Sequence, residues 1–173
     1  MTHPTANPLV TALATGQPEG YAALYDRLGV SLFRVARTML RDSGEAEDAV
    51  QDVFVQLVRN RQRLAEVRDL DAYVFAVLRY TVAKRLKHQR KEQYHLRRFA
   101  PDTADKPASE SSEELENALN SLPPPQREVI ALKVDGDLTF AQIAEVLQVS
   151  PNTAASRYRY ALEKLRRVMK EQP

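Results

Sequence analysis

A chain of 173 residues with 43% hydrophobic content can bury a real core, either as one ordinary domain or as two small ones. Its 25 basic and 23 acidic residues leave a formal charge of +2, so any case for nucleic-acid binding rests on how the charges are distributed rather than on their sum. The lack of cysteine excludes disulfide staples and thiolate metal sites; no apolar run reaches the roughly 18 to 20 residues that span a bilayer, and MTHPTANPLVTALATGQPEG lacks the pattern of a secretory signal, so a cytoplasmic protein without membrane insertion is expected.

Residues 1–18 hold three prolines among small polar residues, which predicts a flexible tail with at most a short helix near Leu9 to Leu13. From Tyr21 the apolar residues Leu24, Tyr25, Leu28, Leu32, Val35, Ala36 and Met39 recur at helical spacing, and that helix should end near Asp42-Ser43-Gly44. A second helix carries the stripe Ala46, Ala49, Val50, Val53, Phe54, Leu57 and Val58. Arg68 to Asp71 make a polar connector, and a third helix runs from about Ala72 to Lys91 or beyond. The segment PDTADKPASESSEE has five acidic residues against Lys106 and nothing large to bury, so residues 99–114 read as an acidic flexible linker. Four shorter helices should follow, at Glu113 to Ser121, Pro125 to Val134, Thr139 to Leu147 and Pro151 to about Lys170. The expected fold is all-α: two small helical domains, 19–98 and 115–173, joined by the linker.

Three surfaces stand out. In LTFAQIAEVLQVSPNTAASRYRYALEKL, Thr139 can cap a short helix, Gln148 takes the turn, and Ser150 with Pro151 starts a second helix. Ala154, Tyr158, Ala161, Leu162, Leu165 and Val168 face inward there, so Asn152, Ala155, Ser156, Arg159 and Tyr160 point elsewhere. This is a helix-turn-helix pattern whose outer side chains suit base edges and phosphates, or else an ordinary hairpin with a polar outer face. The second helix turns Glu45, Asp48, Asp52 and Val55 away from its stripe, with Gln51 at the edge. A protein-binding patch, a solvated acidic face and, least supported, a metal site are the readings open to it. On the third helix, eight basic residues stand against Glu92 between Arg79 and Arg98. With Val74, Phe75, Leu78, Val82 and Leu86 inward, its other side carries Tyr73, Tyr80, Lys84, Lys87 and Lys91. Rings among cations suit a nucleic-acid strand, although either tyrosine can instead pack on a neighbouring helix.

With these motifs in this order, AEDAVQDVFVQLV, YVFAVLRYTVAKRLK, LPPPQREVIALK and the helix-turn-helix, the chain resembles the sigma-70 family, specifically its extracytoplasmic-function (ECF) group with regions 2 and 4. The resemblance runs from about Tyr21 to Arg167 and skips the linker. It implies a sigma factor that directs core RNA polymerase to promoters and assists their opening, without cofactor, metal or covalent chemistry of its own. Asp48, Gln51, Asp52 and Val55 would meet the clamp helices of the polymerase largest subunit, and the flap region is a further polymerase contact. Arg79, Tyr80, Lys84, Arg85, Lys87, Arg90 and Lys91 would serve the minus-10 element, with unpaired bases captured by the connector, roughly Glu66 to Asp71. Asn152, Thr153, Ala155, Ser156, Arg157, Arg159 and Tyr160 would serve the minus-35 element. An anti-sigma factor is a further partner of many family members. Tyr80, Lys84 and Ala155 depart from residues common in the family, which leaves the promoter sequence unspecified. The rivals are a stand-alone helix-turn-helix regulator and a metal-dependent nuclease using Glu45, Asp48 and Asp52; His3, His88 and His95 are scattered along the chain.

Overall fold

The computed structural model describes residues 7–96 and 110–170. Among them the secondary structure is helical throughout: α1 (Pro8–Ala14), α2 (Pro18–Leu40), α3 (Ser43–Arg59), the single turn α4 (Arg61–Leu64) and α5 (Leu70–Leu96) make the first unit. α6 (Glu110–Asn120), α7 (Pro124–Ile130), a π-helical turn (Ala131–Asp135), α8 (Phe140–Leu147) and α9 (Pro151–Lys170) make the second.

Local chemistry sets the helix ends. Pro18 opens α2 at a position where a missing N–H costs nothing, and Arg41 closes it in the left-handed region (φ 62°). Asp42 then caps α3, its carboxylate accepting the Glu45 N–H at 2.8 Å. Asp69 does the same for α5 through the Ala72 N–H at 2.9 Å. In the second unit Thr139 and Gln142 form a reciprocal capping box on α8, Gln148 turns the chain at φ 54°, and Ser150 accepts the Thr153 N–H at 3.0 Å to start α9. Each such cap contributes roughly 1 kcal/mol.

The first unit packs α2 along α3 and lays α5 across both. Leu24, Leu32, Val35, Val53, Leu57, Val74, Phe75, Leu78 and Val82 are fully or almost fully buried there. Thr81, polar and buried, is satisfied: its hydroxyl accepts Gln56 Nε2 and donates to the Val77 carbonyl, both at 2.9 Å. A small core of Ala118, Leu122, Ile130, Ala161 and Leu165 holds α6, α7 and α9 together. Arg127 supports it by donating to the carbonyls of Leu119, Asn120 and Leu122 at 3.0 Å each, which satisfies the open end of α6.

The structure revises several expectations. Residues 8–14 are not a loose tail: α1 docks on α2 and α4, with Leu13 fully buried and its carbonyl accepting the Tyr21 hydroxyl at 3.0 Å. Residues 1–6 lie outside the described residues. The linker expectation for 99–114 fails at its carboxy-terminal end, because α6 begins at Glu110; residues 97–109 lie outside the description. Tyr25 and Val58, assigned to buried stripes, are exposed, and Tyr25 meets Phe54 edge-on at 5.4 Å. The helix expected to continue to Val134 widens into a π turn after Ile130. There Gly136 approaches the Leu132 carbonyl so closely that a Cβ would sit 2.6 Å from its oxygen. Finally, the two units are packed together: one continuous apolar cluster runs from α1 through α5 into Leu132, Leu138, Ile143, Val146 and Leu147.

Candidate functional site

The outer face of α3 carries Asp48, Gln51, Asp52 and Val55 in the open, as its periodicity requires. Asp48 has no ion pair among the described residues. Asp52 and Glu45 converge instead on Arg85 of α5, each at 2.6 Å, so one guanidinium bridges both carboxylates. Burial works against the charge of Arg85, but its hydrogen bonds to Asp52 and Glu45 and their negative charges outweigh that, and its pKa is raised. Two residues that the sequence placed on separate surfaces, Asp52 and Arg85, therefore meet in one clamp. A groove of about 610 Å³ between α3 and α5 is lined by this clamp together with Val55, Gln56, Tyr80 and Lys84. Among the described residues, no group of three or more histidine or carboxylate side chains is gathered as a metal site would require.

On α5 the buried side is continuous, and the outward side is basic. Lys84, Lys87, Arg90 and Lys91 are exposed and carry no ion pair among the described residues. Arg97 and Arg98, the end of the basic run, fall outside the description. The two tyrosines separate: Tyr73 packs against the main core, whereas Tyr80 is 66% exposed. Arg79 is half-buried and donates from Nε to Glu128 of α7 at 2.8 Å. α5 begins at Leu70, earlier than the sequence expectation, so Asp71 lies in its first turn, where it pairs with Arg27 at 2.6 Å. Asp69, beyond capping α5, accepts Gln142 Nε2 of α8 at 3.0 and 3.3 Å.

In the helix-turn-helix, α8 and α9 cross with Ala144 and Ala154 buried and Phe140 edge-on to Tyr158 at 5.6 Å. Asn152, Arg159 and Tyr160 are exposed, while Thr153, Ala155, Ser156 and Arg157 are half-buried along the same end of α9. The Arg159 guanidinium stands 5.1 Å from the Tyr160 ring centre, so two of the outward side chains support each other. Thr153 also bonds the Ser150 hydroxyl at 2.8 Å and so belongs partly to the cap. Sequence reasoning missed Glu128, Gln142 and Arg127, which hold the second unit to the first or hold it together. A carboxylate or amide in an amphipathic helix carries no sign of a partner on a distant element.

Residues 24–92 match the family model of Sigma-70 region 2, and residues 112–165 match that of Sigma-70, region 4. The chain is 26% identical over 180 residues to the ECF RNA polymerase sigma factor SigK of Mycolicibacterium vanbaalenii, covering 94% of this chain and 92% of that one. It is 26% identical over 162 residues to the RNA polymerase sigma factor CarQ of Myxococcus xanthus, covering 90% and 92%. Among solved structures, CnrH in complex with the cytosolic domain of CnrY superposes with a TM-score of 0.72 at 23% identity, over 95% of this chain and 97% of that chain. The sigma factor RpoE of Bartonella quintana, in complex with the anti-sigma factor NepR, gives 0.69 at 23% identity, over 87% and 99%. The fold is shared with both. Region 2 falls on the α2, α3 and α5 bundle and region 4 on the unit that ends in the helix-turn-helix, in that order along one polypeptide, and the chain belongs to the sigma-70 family.

Proposed function

We propose that this protein is an ECF-type sigma factor: it binds core RNA polymerase, directs it to promoters with minus-10 and minus-35 elements, and helps open the DNA. It does so in the cytoplasm and catalyses no covalent step. The observation that carries this reading is that both region models match one chain in order, each on helices whose exposed side has the corresponding chemistry. Asp48, Gln51 and Val55 on α3 form the patch for the polymerase clamp helices, with Asp52 joining it from the Arg85 clamp. On α5, Tyr80 offers a ring face for a base, and Lys84, Lys87, Arg90 and Lys91 offer charge for phosphates. Arg79 and Arg85 reach that strand only by leaving their carboxylate partners. The open end of α9 enters the minus-35 major groove, where Asn152, Ser156, Arg159 and Tyr160 meet base edges or phosphates, Ala155 offers an apolar contact, and Thr153 and Arg157 brace the backbone.

Opening then follows from differential binding: stacking an unpaired base on an aromatic ring contributes roughly 1 to 3 kcal/mol, which offsets lost pairing. By likeness to the Bartonella quintana protein, an anti-sigma factor is the regulator we propose for it. The test is in vitro transcription with the purified protein, core polymerase from its source and a fragmented genomic library. Discrete start sites that share two upstream elements are expected. Absence of any binding to core polymerase refutes the reading and favours a stand-alone regulator.

A further inference from the structure

Building on the reading of α9 as the helix that enters the minus-35 major groove, we propose that Arg159 selects a guanine there and that Tyr160 is a positioning residue for its guanidinium. Asn152, Ser156 and Arg159 follow one another at spacings of four and three along the ridge of α9 opposite the buried Ala154, Ala161 and Leu165. From Asn152 to Arg159 the helix rises by about 10 Å, which matches the rise of about three base pairs. Arg159 therefore stands at the far end of a short reading frame, exposed and on the side turned away from the core. Arg157 is different: it is half-buried on the flank of the helix, nearer to the packed side.

The charge of Arg159 is uncommitted within the protein. Glu163 stands four residues further along the same ridge, a spacing at which an arginine and a carboxylate can pair. Arg159 nevertheless carries no ion pair among the described residues and lies over the Tyr160 ring instead, 5.1 Å from its centre. Arg79 and Arg85 are held by carboxylates and Arg127 by three carbonyls, so they have partners at home. The ring restricts a long side chain with several rotatable bonds, and less freedom is then lost when the guanidinium seats on a target. Its planar fork of N–H groups needs two acceptors side by side. Of the base edges in the major groove, guanine alone presents such a pair, N7 and O6; adenine and cytosine turn an amino group toward the arginine, and thymine offers O4 beside a methyl. Phosphates lie along the rims of the groove, where a flank residue such as Arg157 is better placed than one on the ridge.

The test uses the full-length protein with core polymerase on promoters mapped from the fragmented genomic library. Replacing one guanine of the shared minus-35 element by another base should lower transcription about tenfold or more, and replacing it by 7-deazaguanine, which still pairs but lacks the N7 acceptor, about fivefold. With Arg159→Ala the same replacements should make no difference, while dependence on the other positions persists. Arg159→Lys keeps the charge without the fork and should lose most of the preference. Tyr160→Leu should weaken the guanine preference about two- to fivefold, and Tyr160→Phe should retain it, because the ring alone supports the guanidinium. Both side chains are exposed, so circular dichroism should show native helical content in every variant. A loss on Arg159→Ala that is equal whatever base stands at each position makes Arg159 a phosphate contact and overturns the guanine assignment. Equal effects of Tyr160→Phe and Tyr160→Leu overturn the positioning role. Failure of the unmodified protein to bind core refutes the sigma reading underneath, whereas discrete starts whose minus-35 element holds no such guanine refute the guanine assignment alone.

Discussion

The Arg85 clamp gives the sharpest quantitative expectation. Arg85 is 22% exposed, and its partners Glu45 and Asp52 are 38% and 51% exposed. Solvent screens both pairs, so each contributes about 0.5 to 1 kcal/mol rather than the several kcal/mol of a buried pair. Truncation in Arg85→Ala also removes the aliphatic stem that packs between α3 and α5, which brings the expected loss to about 2 kcal/mol. With a urea slope of about 2 kcal/mol per molar for a protein of this size, the unfolding midpoint should drop by about 1 M, followed by circular dichroism. A double-mutant cycle with Asp52→Ala isolates the pair. Coupling of about 0.5 to 1 kcal/mol is expected, shrinking in 1 M salt where the screening length is about 3 Å. The cycle with Glu45→Ala should give the larger value, because Glu45 is less exposed. Coupling below about 0.3 kcal/mol in both cycles, with native helical content, refutes the clamp as an energetic link between the two faces.

Asp48 is exposed and outside the clamp, so Asp48→Arg should weaken binding to core polymerase about tenfold or more, read by fluorescence anisotropy, while moving stability by no more than about 0.5 kcal/mol. Arg127→Ala leaves three carbonyls at the end of α6 without their donor and should cost about 2 to 3 kcal/mol in urea unfolding, with Arg127→Lys recovering part of it. The Tyr21 hydroxyl holds α1, and burial raises its pKa above 10.0 despite the lowering effect of Arg61. Folded α1 favours the neutral phenol, so its docking is fully present below the unfolded value and is lost as pH rises through the folded one; a fluorophore on Thr11→Cys should report that alkaline step, and Tyr21→Phe should abolish it.

The elements with long, one-sided apolar stripes were legible in the sequence. Val74, Phe75, Leu78 and Val82 face inward as their spacing requires, and the caps at Thr139 and Ser150 fall where a hydroxyl precedes a helical stripe. The docking of α1 was not legible. A seven-residue helix has no stripe of its own, and it lies close to α2 because a Cβ at Gly20 would come within 2.8 Å of the Ala12 Cβ, a constraint visible only once both helices are placed. The π turn escaped for a similar reason: its register depends on Gly136 passing under Leu132, whereas the local propensity of Ala131 to Val134 is ordinary. On the candidate surfaces, spacing determined which side chains point outward, and the structure determined which of them are engaged. Asp52, Arg79 and Arg85 all point outward by pattern, and each is held by an opposite charge on another helix.

The division of labour within α5 explains how one helix can serve the core and the proposed nucleic-acid face together. Its buried side supplies fully desolvated side chains from Val74 to Val82, each contributing roughly 1.5 to 3 kcal/mol by removal from water, so its position does not depend on what the outer side carries. Tyr80, Lys84, Lys87 and Lys91 are exposed, so each can change with little effect on the fold while the rigid platform beneath them stays in place. Arg85 is the exception, since it belongs to the outer row by spacing and to the scaffold by its ion pairs. A substitution there perturbs α3, α5 and the groove between them at once. Substitutions at Tyr80 and the neighbouring lysines are therefore the ones that test the proposed DNA contact, and substitutions at Arg85 report first on how the two helices are held.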